Sequence, residues 1–228
     1  MKIEWDKTGE RFYETGVDKG VHYSLLADGS FGNGVAWNGL SSVSENPDGG
    51  EPSPVYADNI QYLNLMSAEK MNLTIEAYTY PDAFAECDGS AEIADGVTIG
   101  QQTRKPFGLC YRTLLGNDVK SNDYGYKLHL AYNCLAKPTE KGYETVDDDV
   151  EAITFSWEAA TTPVNVTGYK PTAVLTVDST KCTAAKLEAL EEILYGKDNV
   201  EPRLPFPDEV MTLMRTGASS GGSGSSGN

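Results

Sequence analysis

The sequence predicts a mainly β protein: a β sandwich or barrel with a short helix, one longer flanking helix, extended arms and a hairpin loop. Three observations point there. Stretches in which apolar and polar residues alternate recur along the 228 residues, Gly and Pro clusters punctuate them, and residues 184–195 are the one long stretch with a helical period. A sandwich reaches this length as one domain. Residues 1–214 are therefore read as one unit, and residues 217–228 (GASSGGSGSSGN) as a flexible Gly/Ser-rich tail.

Residues 1–20 carry Trp5, Phe12 and Tyr13 among charges of both signs, without a sustained period, and read as an N-terminal arm or a terminal strand. An arm with aromatics tends to dock, since burying one such side chain contributes roughly 1.5–3 kcal/mol. Residues 21–26 read as a strand and residues 34–44 as the next, with Asn38-Gly39 a bulge or bend inside it. Residues 45–54, containing Asn46, Pro47, Asp48, Gly49 and Gly50, have loop composition and are expected to project beyond the sandwich, where contacts often reside. Residues 55–66 return as a strand. Over residues 72–80, Leu73, Ile75 and Ala77 fall on one face and Thr74, Glu76 and Tyr78 on the other; Pro81 ends this half-buried strand, and residues 83–87 suit a short helix stopped by Gly89.

Residues 91–106 read as a connector. Residues 107–115 and 126–134 alternate cleanly and most simply form an antiparallel pair, and residues 153–159 and 173–177 supply two further strands. Thr183 is placed to cap a helix over residues 184–195, ended by Gly196. The prolines of residues 201–207, with Pro205 and Phe206 among them, hold the start of a C-terminal arm (residues 197–214) extended, and residues 208–214 suit a last helical turn.

A formal net charge of −16 argues against a protein that grips phosphates through Lys and Arg. The charge is uneven: residues 41–100 hold eleven acids against Lys70, net −10, while residues 101–146 hold seven bases against four acids, net +3. Such segments can present complementary patches to other copies of the chain. Cys87, Cys110, Cys134 and Cys182 are too widely spaced for zinc and, with no signal peptide in view, read as free thiols of a core made in a reducing compartment. No run of eighteen apolar residues predicts a membrane span.

Chemistry is sparse. Gly32-Asn33-Gly34 lacks the third glycine of a dinucleotide fingerprint, and Asp147-Asp148-Asp149 lacks the alternating ligands of a calcium loop. With only His22 and His129, a nucleophile and base set has few ways to assemble, so neither an enzyme nor a cofactor is expected. Glu76 and Glu158 form the one mid-strand carboxylate pair worth inspecting, with Lys127 or Arg112 on neighbouring strands as simple ion partners.

The segments YETGVDKGV, GVAWNGLSSVSE, YADNIQYLNLMS, TIEAYTYPDAFAECDGS, TFSWEAATTPV and LEEILYG together resemble the major tail protein, or tail tube protein, of siphophages and prophages of Gram-positive hosts. The likeness runs over nearly all of residues 1–214; the immunoglobulin-like domain that some members add is absent, and the Gly/Ser end lies outside the pattern. The resemblance implies a tail-tube-type β sandwich, six copies per ring, and rings stacked into a tube that carries DNA from the capsid to the cell, with arms and a long hairpin bridging rings. It also implies a virion protein assembled in the host cytoplasm, with tape measure, terminator and distal tail proteins as partners and no membrane. Six copies would carry about −96, and an acidic bore would repel a polyanion rather than hold it. Salt confines that field to about 8 Å, so only lumen-facing acids would act, and Glu76 and Glu158 are the candidates. Trp5, Phe12, Tyr13, residues 46–50, Pro205 and Phe206 are the candidates for contact between subunits. The competing reading is a monomeric carbohydrate-binding sandwich, suggested by thirteen tyrosines and an acidic surface.

Overall fold

In the computed structural model, residues 2–143, 145 and 152–216 are described. The aspartates of residues 147–149 and the Gly/Ser tail lie outside them. Twelve strands follow in order: β1 (Phe12–Leu25), β2 (Phe31–Trp37), β3 (Leu40–Gly49), β4 (Pro52–Ala57), β5 (Ile60–Met66), β6 (Glu69–Ala77), β7 (Ala91–Ala94), β8 (Val97–Ile99), β9 (Phe107–Asn117), β10 (Ser121–Ala136), β11 (Phe155–Thr161) and β12 (Val174–Asp178). Two helices close the described chain, α1 (Ala184–Tyr195) and α2 (Pro207–Thr216). The protein is mainly β, as the alternation predicts.

Eight strands form one antiparallel sheet in the order β2-β1-β9-β10-β11-β6-β3, with β12 beside β10. This sheet folds over on itself at β10. β10 pairs with β9 from Ser121 to Cys134, while on its other side Lys127 to Ala131 pair with β12 and Cys134 to Ala136 with β11. Between them the β9 register slips and Asn133 turns to a φ of 46°, a bulge of the kind by which one strand serves two packed layers. The layers are thus β2-β1-β9-β10 and β11-β6-β3.

Two cores result, one on each face of the first layer. Between the layers, Trp37, Leu73, Ile75, Phe84, Phe107, Leu109 and Trp157 are buried together. Phe84, carried by the short 3-10 turn Asp82–Phe84, lies 4.6 Å from the Trp37 ring, 5.2 Å from Phe107 and 5.3 Å from Trp157. On the opposite face, Tyr23, Leu128, Leu130 and Tyr132 meet Leu187, Leu190 and Leu194 of α1 and Val210 of α2. Both faces of β9 and β10 are therefore covered by protein, as in a central strand.

Several sequence expectations change here. Residues 34–44 are two strands rather than one with a bend: Gly39, at a φ of 71°, lets the chain leave the first layer at Trp37 and enter the second at Leu40. Residues 55–66 are also two strands, turned at Asp58-Asn59, where both φ angles are positive (50° and 63°) as a two-residue hairpin of this hand requires. Residues 91–106 hold a further small hairpin, β7–β8. The last helical turn proposed for residues 208–214 is a full helix, α2, of ten residues. Thr183 does precede α1, but its side chain makes no cap hydrogen bond.

The C-terminal stretch is bound to its own subunit. Leu204 bridges Phe31 of β2, the Tyr132 hydroxyl donates to the Pro205 carbonyl at 2.9 Å, and Phe206 packs on Phe31 and Tyr132. Glycine permits this approach: a Cβ on Gly108 would come within 2.5 Å of Leu204 Cδ2. Pro205 is buried, so of the two residues named there for contact with another subunit only Phe206, at 36% exposure, keeps free surface.

Candidate assembly surfaces

The hairpin β4–β5 is the first surface. It belongs to neither core. Among the described residues its two strands pair only with each other, and Val55, Tyr56, Ile60, Tyr62, Leu63, Leu65 and Met66 are all exposed, Met66 by 73%. Val55 lies opposite Leu63 and Ser53 opposite Leu65 on one face, with Pro52 opposite Met66 on the other, so apolar side chains emerge from both. A two-stranded hairpin is marginal in water by itself, and contiguous apolar exposure of this kind marks an interaction site. The smaller hairpin β7–β8 likewise exposes Ile93, Val97 and Ile99.

The root of the long hairpin is firmly built. Residues 45–49, expected as the start of a projecting loop, continue β3 and pair with β6 as far as Gly49 opposite Glu69. The projection is the hairpin beyond them, with its tip at Asp58-Asn59. Pro47 is tolerated because β3 is the edge of its sheet. Asn46 donates to Thr74 Oγ1 at 3.0 Å, Asp48 accepts from the Gly49 amide at 2.9 Å, and Gly49 and Gly50 take φ values of 80° and 70° to turn the chain into β4.

At that root, Glu45 accepts from the Tyr111 hydroxyl at 2.6 Å and lies 3.2 Å from Nδ1 of His129, whose ring stacks on Tyr111 at 4.7 Å. The other face of this cluster is held by Glu14, which accepts from Thr113 and Lys127 at 2.5 Å each and lies 3.6 Å from His129 Nε2. The hydrogen bond with His129 holds the Glu45 carboxyl below its ordinary range. Burial pushes Glu14 the other way, but the bonds from Lys127 and Thr113 outweigh it, and the net direction is down. Nearby, Arg112 grips Asp18 through two bonds, 2.7 and 2.5 Å, which lower the Asp18 carboxyl. Lys127 and Arg112 are thus committed to β1, not to Glu76 or Glu158 as the sequence suggested.

Glu76 and Glu158 do share a face. They stand on adjacent strands, Glu76 opposite Ser156 and Glu158 opposite Thr74, on the side of the second layer away from the core. The strip also carries Ser42, Ser44, Asn46 and Asn72. Ser42 Oγ donates to Glu76 at 2.8 Å, and Lys137 Nζ lies 3.4 Å from Glu158. Lys70 sits opposite Asp48 further along. Glu76 therefore carries the least compensated charge on this face, which is hydroxylated and mildly acidic.

The remaining candidates are placed less uniformly. Trp5 is 77% exposed. Phe12 and Tyr13 lie at the start of β1, not on a free arm: Phe12 to Thr15 and Asp18 pair with β9, Phe12 packs on Tyr124 at 5.0 Å, and the Tyr13 hydroxyl donates to Asn122 at 2.9 Å. The acidic and basic segments meet partly inside one subunit, since Asp88 takes both Arg104, at 3.3 Å, and Lys141, and Glu86 takes Lys105 at 2.5 Å. Cys182 is half-buried rather than in the core, whereas Cys87, Cys110 and Cys134 are buried thiols. Among the described residues there is no group of three or more His, Cys, Asp or Glu that could hold a metal ion, and no helix is long and apolar enough to cross a membrane.

The projection expected at residues 45–54 therefore lies further along the chain, at β4–β5. The available signal was Asp58-Asn59 between VYA and IQY, a turn pair flanked by strand formers.

No protein-family model and no curated protein matches the chain. Solved structures to which the chain shows similarity include the PVC sheath/tube terminator of an extracellular contractile injection system in its extended state, 12% identical, with 77% of this chain and 99% of that chain covered and a TM-score of 0.32. Another is the PVC sheath-tube complex in the extended state, 14% identical, with 77% and 94% covered and a TM-score of 0.32.

Proposed function

We propose that this chain is the structural subunit of a phage-type tail tube, which self-assembles into stacked hexameric rings enclosing a conduit for DNA. The observation that carries the reading is the long apolar hairpin β4–β5, exposed on both faces and rooted on a strand-paired stem. A monomer gains nothing from presenting such an element; a repeating assembly uses it. The open outer edge of β3 adds a row of backbone groups that a neighbouring copy can pair. The strip of Glu76 and Glu158 would face the bore, where carboxylates among hydroxyls and amides offer DNA no cationic foothold. Tape measure, terminator and distal tail proteins would meet the ends of the tube, and the particle would be a phage virion.

The test is assembly itself. Purified protein, concentrated and viewed by negative-stain electron microscopy with sedimentation in parallel, is expected to form rings or tubes with an open bore. A protein that stays monomeric at the highest soluble concentration overturns the proposal, and binding in a glycan screen by that monomer would favour a carbohydrate-binding sandwich instead.

A further inference from the structure

A groove of about 790 Å³ runs between β12 and α2. Its walls include Leu175 and Val177 from β12 and Val210 and Met214 from α2, while Lys170 and Arg215 stand at its rim. Neither of those cations has a carboxylate partner among the described residues. β12 pairs with β10 along one edge only, so its other edge presents backbone groups that no described strand takes up. An apolar groove beside an open strand edge is a setting for strand addition.

The chain itself contains the matching element. The hairpin of β4 and β5 exposes apolar side chains on both faces and has free outer edges. β4 carries Pro52 and Pro54, which lack an amide donor, whereas β5 carries none, so β5 is the strand able to add to a sheet. It is seven residues long against five in β12. The charges are complementary: residues 48–69 hold Asp48, Glu51, Asp58 and Glu69 with no Lys or Arg, against a cationic rim.

We infer that the groove between β12 and α2 receives the β4–β5 hairpin of a second copy, with β5 extending the sheet at β12 and Leu63 and Leu65 entering the groove. This rests on the self-assembly reading and adds to it the receiving surface. Hairpin and groove are different patches, so the contact is heterologous and does not saturate in a dimer; it closes a ring or continues as a stack.

Cys182, half-buried, lines the groove, and the other three thiols are buried, which supplies a probe. Full-length variants Gln61→Cys, Leu63→Cys and Leu65→Cys are assembled, mildly oxidised and run on a denaturing gel, with Cys182→Ser added as the control. A ladder of covalent multimers that disappears with Cys182→Ser is expected from at least one position. Tubes that form but give no Cys182-dependent ladder from any of the three overturn the inference while leaving the self-assembly reading intact. No assembly by the unmodified chain overturns both. In a second arm, Lys170→Glu with Arg215→Glu should raise the concentration needed for assembly about tenfold; an unchanged value counts against the groove.

Discussion

His22 should make the subunit sensitive to acid. Its ring is fully buried between the layers, against Phe107 at 5.5 Å, Phe84 at 5.7 Å and Trp37 at 6.4 Å, and neither nitrogen has a hydrogen-bond partner among the described residues. Burial lowers its pKa from 6.5 to about 4. The folded chain therefore keeps the imidazole neutral in a range where the unfolded chain protonates it. Stability from this group is complete above pH 6.5, falls as pH drops from 6.5 toward about 4, and is flat below that. The gap corresponds to about 3 kcal/mol, at about 1.4 kcal/mol per pH unit, a large share of a typical domain stability of about 5–15 kcal/mol. Urea unfolding of the unassembled subunit from about pH 7.5 down to about pH 4, beside His22→Phe, measures it. The variant carries a packing change that does not depend on pH, so the difference between the two curves isolates the proton. A His22→Phe protein that loses stability in parallel with the parent across that range would refute the reasoning.

Other outcomes follow from the same geometry. Phe84→Ala removes the ring that touches Trp37, Phe107 and Trp157, and should cost about 3–5 kcal/mol in chemical denaturation. Leu63→Lys with Leu65→Lys, both exposed, should leave the monomer's thermal midpoint within a few degrees while abolishing tubes in electron micrographs. Glu76→Lys with Glu158→Lys should leave tubes intact and slow genome release by the assembled particle, read by dye uptake into released DNA; unchanged release would remove these residues from the bore. Gly108→Val should displace Leu204 and increase protease access to α2.

How far the sequence carried depended on where each residue's partners lie. Residues 107–115 and 126–134 were legible because alternation and a short polar connector specify an antiparallel pair without distant information, and β9 and β10 pair in that way. The helix over residues 184–195 was legible through Leu187, Leu190 and Leu194, which form its buried side. What period alone does not encode is a change of layer: Gly39 reads equally as a bend within one strand or as a passage between two, and only the core around Trp37 decides. Residues 45–49 looked like loop because Asn, Pro, Asp and Gly suit turns, yet an edge strand tolerates all of them. Glu76 and Glu158 were matched to each other correctly and to their ion partners wrongly, because strand order across the bulge at Asn133 sets which cations stand nearby. Phe12 and Tyr13 were read from composition, which does not reveal that β9 extends far enough to pair with them.

The protrusion at β4–β5 and the recess beside α2 are unlike each other, so a stack built on the proposed contact would have a front and a back. One terminus of such a stack would show unfilled recesses and the other bare protrusions. A stopper shaped for the first would find nothing to hold at the second, and growth would run at different speeds in the two directions. If the contact continues as a stack, its two ends would call for two differently shaped finishing partners.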